Sequence, residues 1–193
     1  MVNRMLDNRD TALWRMRAMK GLAGTLVEPG FGSGLNVPLY PEEVKHVYAV
    51  DPAKTGAKLA AERVAASPVE IEFVGLDGQS LPLDNNCADA GLLTFTLCTI
   101  PDPALALSEL RRVIAPGGRL HFVEHGRADE ESVLRWQQRL EPIQRRVGDG
   151  CHLTRDAAEL IADAGFEIEW VDKSYAKGPK PFVWFSVGQA VNP

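Results

Sequence analysis

The stretch Val27-Glu28-Pro29-Gly30-Phe31-Gly32-Ser33-Gly34-Leu35-Asn36 limits the possible folds more than any other, because three glycines alternate directly after a short apolar run. Glycine lets a backbone turn tightly and come close to a ligand. A second apolar run, Val47-Tyr48-Ala49-Val50, ends in Asp51. An acidic group just beyond the next strand can hold ribose hydroxyls, so the two features together point to a nucleoside bound at a strand-to-helix turn. They do not by themselves name a reaction.

The rest of the chain alternates strands and helices. Residues 7–20 read as a preliminary helix with Leu13, Met16 and Met19 or Lys20 on one side. Strands are expected at Gly24–Glu28, His46–Asp51, Val69–Val74 (toward a sheet edge), Ala88–Thr96 and Leu120–Glu124. Between them come a short helix ended by Pro38 and Pro41, and a helix from Ala53 to Val64. Another helix starts at Asp102-Pro103 and is stopped by Ala115-Pro116-Gly117-Gly118. Beyond residue 130, Val133, Trp136, Leu140 and Ile143 line up for burial on a helix running to about Arg146. Thr154 is expected to cap the next helix, with Asp156 in its first turn and Gly165 at its end. Phe166–Val171 and Phe182–Val187 are too closely connected for a crossover helix and are expected to pair antiparallel. This is an α/β fold around a mainly parallel sheet.

At 193 residues the chain reads as one domain, with residues 1–22 a helical N-terminal segment and 24–190 the core. The apolar and charged fractions, 45% and 24%, are those of a globular protein. With 26 acidic against 21 basic residues it offers no general attraction to a phosphate backbone, which argues against a nucleic-acid partner. It has no apolar run long enough for a membrane span and no secretory leader at Met1-Val2-Asn3-Arg4-Met5, so no stable membrane insertion and a cytoplasmic setting are expected. The cysteines Cys87, Cys98 and Cys151 and the four histidines fall into no spaced metal motif, so no metal is expected. Oligomeric state is left open.

Three segments occur in a telling order: Glu28 to Asn36, then Asp77-Gly78-Gln79-Ser80-Leu81-Pro82, then Leu110-Arg111-Arg112-Val113-Ile114-Ala115-Pro116-Gly117-Gly118-Arg119-Leu120. With them the chain, over residues 24–190, resembles the class I S-adenosylmethionine-dependent methyltransferases. Leu97-Cys98-Thr99-Ile100-Pro101-Asp102, Phe122-Val123-Glu124-His125-Gly126 and Gly150-Cys151-His152-Leu153-Thr154-Arg155-Asp156 are similar to segments of the small-molecule, thiol-methyltransferase-like group. The sequence departs from the family at Pro29, where a β-branched residue is commoner, and at Gln79, where an acid is frequent. Membrane association, found in some members, is not carried over.

The resemblance implies a Rossmann-like, seven-stranded, mostly parallel sheet of order 3-2-1-4-5-7-6 with helices on both faces. It implies S-adenosylmethionine as cofactor, S-adenosylhomocysteine as product and a small-molecule acceptor. Gly30, Gly32 and Gly34 would shape the cofactor loop, and Glu28 would orient the methionine ammonium directly or through water. Asp51 would receive the ribose hydroxyls, Asp77 and Gly78 the adenine edge, and Thr94 and Phe95 would continue the cofactor floor. Asp77-Gly78 is equally readable as an ordinary turn.

Methyl transfer needs an acceptor atom held in line with the methyl group, and a thiol acceptor must reach its thiolate form. His125 and His152 are the candidate acid–base or substrate-contact groups, against a plain loop role for each. Cys98 and Cys151 are expected in packing or a pocket wall, since the substrate would supply the accepting sulfur. Trp136 and Trp170 are expected as core aromatics. Two other readings stand beside this one: a catalytically weak S-adenosylmethionine-binding regulatory module, and an NAD-dependent dehydrogenase.

Overall fold

Leu26 and Val27, in the apolar run before the glycine loop, are both fully buried and belong to different core clusters. Neighbouring strand residues point to opposite faces, so this strand must be covered on both sides. The computed structural model of the chain, which describes residues 6–52 and 54–193, has that arrangement. Its strands are β1 (Gly24–Pro29), β2 (Val44–Val50), β3 (Glu70–Gly75), β4 (Ala88–Thr94), β5 (Ile114–His125), β6 (Glu167–Tyr175) and β7 (Trp184–Val191). They form one sheet of order β3-β2-β1-β4-β5-β7-β6. All pairs are parallel except β5–β7 and β6–β7, as the resemblance and the short final connection imply.

The helices are α1 (Arg9–Ala18), α2 (Lys54–Ala65), α3 (Pro103–Val113), α4 (Glu131–Val147) and α5 (Ala157–Asp163). Leu107 and Leu110 of α3 and Ile161 of α5 pack on Val27, Leu93 and Phe122. On the opposite face Met19, Leu22 and Ala60 of α2 pack on Leu26, Val47 and Leu92, while Ala18 of α1 meets Val123 and Val187. Strand order reverses between β1 and β4, so a crevice opens at their carboxyl ends.

The helix start expected at Ala53 and the segment Met1–Met5 lie outside the described residues. No helix among the described residues is long and apolar enough to cross a membrane.

Several local expectations are corrected. The segment after the glycine loop forms only a 3-10 turn, Val37–Leu39, since Pro38 and Pro41 leave no room for a longer helix. Ala115-Pro116-Gly117-Gly118 is no separate turn; β5 begins at Ile114 directly after α3, and Gly117 and Gly118 bond Asn192 through their backbones. Asp156, not Thr154, caps α5, accepting from the amides of Ala158 and Glu159 at 3.1 and 3.3 Å.

Two helices are rotated from their expected faces for one reason. In α4, Trp136 and Ile143 are 55% and 60% exposed, and Gln137 is buried. The Gln137 amide donates to the carbonyls of Gly126 and Pro181 at 2.9 and 3.1 Å and accepts from the Ala128 amide at 2.9 Å. In α1, Leu13 and Met16 are exposed while Thr11, Arg15 and Ala18 are buried. In each helix a buried polar side chain that bonds several distant partners outweighs the apolar stripe, because those partners would otherwise be left unbonded.

Candidate functional site

The glycine loop follows β1. Gly30 and Gly32 have φ of +74° and +57°, a left-handed backbone that side-chain-bearing residues adopt at a cost. A Cβ on Gly30 would also fall 2.3 Å from Thr96 Oγ1. The amides of this loop are committed within the protein: Gly30 N–H donates to the Val50 carbonyl at 2.8 Å and Gly32 N–H to Asp51 Oδ2 at 2.7 Å. The loop thus ties the carboxyl end of β1 to that of β2 and fixes Asp51.

Over these strand ends lies a cavity of about 820 Å³. Of the residues expected from sequence, Gly30, Gly32, Asp51, Asp77, Gly78, Thr94 and Phe95 line it. Phe31, Leu59, Leu76 and Ile100 supply apolar walls. Asp77 Oδ1 accepts from the Gln79 amide at 2.9 Å, which bends the loop and holds the Asp77 pKa below its ordinary value.

Glu28 and Gly34 are not among the lining residues. Glu28 is fully buried behind the wall, where Asn36 Nδ2 donates to its Oε1 at 2.8 Å and Tyr40 O–H donates to its Oε2. Burial pushes its pKa up to about 7, against the opposing pull of the Tyr40 and Asn36 hydrogen bonds and the Arg15 charge.

Arg15 completes this network and was not legible in the sequence. It reaches from α1 to the cavity wall, only 5% exposed, and donates through Nη1 to Asn36 Oδ1 at 2.8 Å and Thr94 Oγ1 at 2.7 Å. Its guanidinium carbon lies 5.1 Å from the centre of the Phe95 ring, and its buried Nε has no partner among the described residues. Burial lowers its pKa from the usual arginine value, with Glu28 and Glu124 pulling the other way.

A pH dependence follows from Glu28. Its carboxyl binds a proton more tightly folded (pKa about 7) than unfolded (near 4.5), so its contribution to stability is full below pH 4.5 and is lost as pH rises through 7. The loss is about 3 kcal/mol per group of this kind. Between pH 5 and pH 8, urea unfolding is expected to show a drop smaller by about 3 kcal/mol in Glu28→Gln than in wild type, the remainder coming from Glu124, whose buried carboxyl is raised in the same direction; equal drops in the two proteins would refute it.

A second buried carboxylate shapes the turn after β4. Phe95 has φ of +57°, strained for a bulky residue, and Thr96 and Leu97 follow with their amides on Glu124 at 2.8 and 3.1 Å. Glu124 is fully buried at the end of β5, and desolvation raises its pKa to about 7 against these amide bonds.

His125, next on β5, is buried and turns its Nδ1 to Cys151 Sγ at 3.4 Å. Cys98 joins them, the three donor atoms all lying within 4.8 Å of one another. The Cys98 hydrogen bond holds the Cys151 pKa down to about 5, while the same bond and burial push Cys98 up. His152 faces elsewhere, lining a neighbouring cleft of about 600 Å³ that shares Thr99 and Pro101 with the main cavity. Its Nδ1 is 2.7 Å from Glu141 Oε1.

The model of a methyltransferase domain matches residues 27–122. The chain is 35% identical over 183 residues to thiol S-methyltransferase TMT1B of Rattus norvegicus, a match that covers 90% of this chain and 72% of that protein. It is 32% identical to the Homo sapiens protein of the same name, with 96% and 77% covered. Among solved structures, a SAM-dependent methyltransferase from Thermotoga maritima superposes with a TM-score of 0.70 at 23% identity, covering all of this chain and 96% of that one. That last likeness concerns the fold.

Proposed function

The chain belongs to the class I S-adenosylmethionine-dependent methyltransferases, and we propose that it methylates a small thiol, with the donor held in the cavity over β1, β2 and β4. Methyl transfer to a small molecule is supported by the relatives named thiol S-methyltransferases. The observation that carries the site assignment is the pairing, across one cavity, of an acid at the end of β2 with a buried arginine near the end of β4.

The cavity fits the donor at three points. Asp51, fixed by the Gly32 amide, offers carboxylate acceptors to ribose hydroxyls. Leu59 and Leu76 offer apolar surface for a purine beside the Asp77-Gly78 turn. Arg15, whose side chain lines the cavity, is matched to the donor's amino-acid carboxylate. In this reading Glu28 acts one step back, holding Asn36 and Arg15 in place.

Bound S-adenosylmethionine supplies a methyl group already activated on a sulfonium centre. What remains for the protein is to orient, to exclude water and to move one proton. Phe95, Thr96 and Thr99 line the cavity beyond β4 and would shape the acceptor's approach. In this reading the acceptor enters through the adjoining cleft that shares Thr99 and Pro101, where His152, oriented by Glu141 as a base is oriented by a third group, takes its proton. His125, with its Nδ1 turned to Cys151, is the less available histidine. The thiol preference rests on the names of the relatives. The three unpaired cysteines suit a reducing compartment, and we assign the protein to the cytoplasm.

Radiolabelled S-adenosylmethionine incubated with matched thiols, amines and phenols tests the acceptor. Label is expected in the thiol products, with a rate at least about tenfold above the other two classes, a difference near 1.4 kcal/mol in barrier. Faster labelling of amines or phenols would overturn the thiol assignment.

A further inference from the structure

Nothing in the spacing of Cys98, His125 and Cys151 suggests a common site, yet the fold brings the two Sγ atoms and a ring nitrogen of His125 within 4.8 Å of one another. We propose that these three side chains form a binding site for one thiophilic divalent cation of the zinc class, with a fourth coordination position left to water or an exogenous thiolate.

The distances suit a tetrahedral centre. Metal–sulfur and metal–nitrogen bonds of about 2.3 and 2.1 Å imply a sulfur–nitrogen separation of about 3.6 Å. The separation of Cys151 Sγ and His125 Nδ1 is 3.4 Å. The donor set is two sulfurs and an imidazole, which favours zinc and excludes magnesium and calcium, whose ligands are oxygens. Glu124, the adjacent carboxylate, is committed to the amides of Thr96 and Leu97 and competes for no metal. A metal on Nδ1 requires the His125 proton on Nε2, which is buried without a partner among the described residues and so makes no competing demand on the ring.

The three ligands come from rigid positions. His125 closes β5 opposite Phe185 of β7. The Cys98 carbonyl accepts from the His152 amide at 2.8 Å, which fastens the two cysteine-bearing segments together. Arg155 clamps the turn around Cys98, donating to the carbonyls of Leu97 and Ile100 at 2.6 and 2.7 Å. A site so held needs little reorganisation to bind. Cys98 and Cys151 form no disulfide, and both bond the metal as thiolates, the proton shared by the pair being released as the two metal–sulfur bonds form.

The test is titration of the reduced, full-length protein with Zn²⁺ against a chromophoric chelator, and with Co²⁺ followed by its thiolate charge-transfer absorption. Free thiols are counted beforehand. One equivalent is expected to bind with the charge-transfer band present. Cys98→Ser, Cys151→Ser and His125→Gln are each expected to weaken binding about 100-fold or more. Cys87→Ser, whose thiol lies outside the cluster, is expected to bind as wild type does. Circular dichroism identifies the variants that are folded. The proposal fails if reduced, folded wild type takes up no stoichiometric metal. It also fails if the folded Cys98 and Cys151 variants bind as tightly as Cys87→Ser.

Discussion

Replacing Arg15 by leucine is expected to weaken binding of S-adenosylhomocysteine by about 100-fold, the loss of a buried charge-assisted pair worth about 3 kcal/mol. The expectation rests on an arginine side chain that lines the cavity and is held there by its bonds to Asn36 and Thr94. Some general effect is also expected, because the substitution leaves Asn36 Oδ1 without its donor. Comparison of two ligands separates the causes. 5′-Methylthioadenosine has the nucleoside but no amino-acid carboxylate, so its affinity is expected to change less than about threefold. Arg15→Lys, which keeps the charge and loses the planar fork, is expected to lie between leucine and wild type. Isothermal titration of both ligands into the three proteins measures this. Equal losses for the two ligands would mean that Arg15 supports the site without touching the donor.

The second large effect concerns stability. Glu124→Ala is expected to destabilise the protein by about 4 kcal/mol, because the buried amides of Thr96 and Leu97 lose their acceptor and each orphan costs about 1–3 kcal/mol. These amides follow Phe95, whose left-handed backbone the carboxylate helps to hold. For a chain of this size the midpoint is expected to fall by about 8–16 °C. Glu124→Gln keeps one acceptor oxygen and is expected to lose about half as much. Thermal unfolding followed by circular dichroism decides the matter; a fall below about 1 kcal/mol in the alanine variant would show that water or a shifted turn satisfies those amides.

Both predictions concern residues that no local pattern marks. Arg15 sits in a helix whose apolar residues suggested a different buried face, and its partner Thr94 is 79 residues away. Alternation puts Glu124 on the face of Leu120 and Phe122 but does not register the Thr96 and Leu97 amides that it meets there. The offset in α4 has the same origin: the amide of Gln137 finds three backbone partners at 2.9, 3.1 and 2.9 Å, which hydrophobic periodicity does not register. By contrast, the antiparallel β6–β7 pair was readable because connection length alone excludes a crossover helix.

What the sequence by itself determined is the backbone geometry at the carboxyl ends of β1 and β2 and the lining of the cavity there. Left-handed turns at Gly30 and Gly32, an acid directly after β2 and the Asp77-Gly78 turn are local demands of backbone geometry, and few residue types meet them. Only the tertiary structure decided which polar side chains are buried and what they meet. It placed Arg15 beside Thr94, set Glu124 under the turn after β4, and moved Glu28 behind the cavity wall. It also gathered Cys98, His125 and Cys151 into one cluster. Such groups are held by partners distant in sequence, and the cost of leaving any of them unpaired appears only when the chain is closed around them.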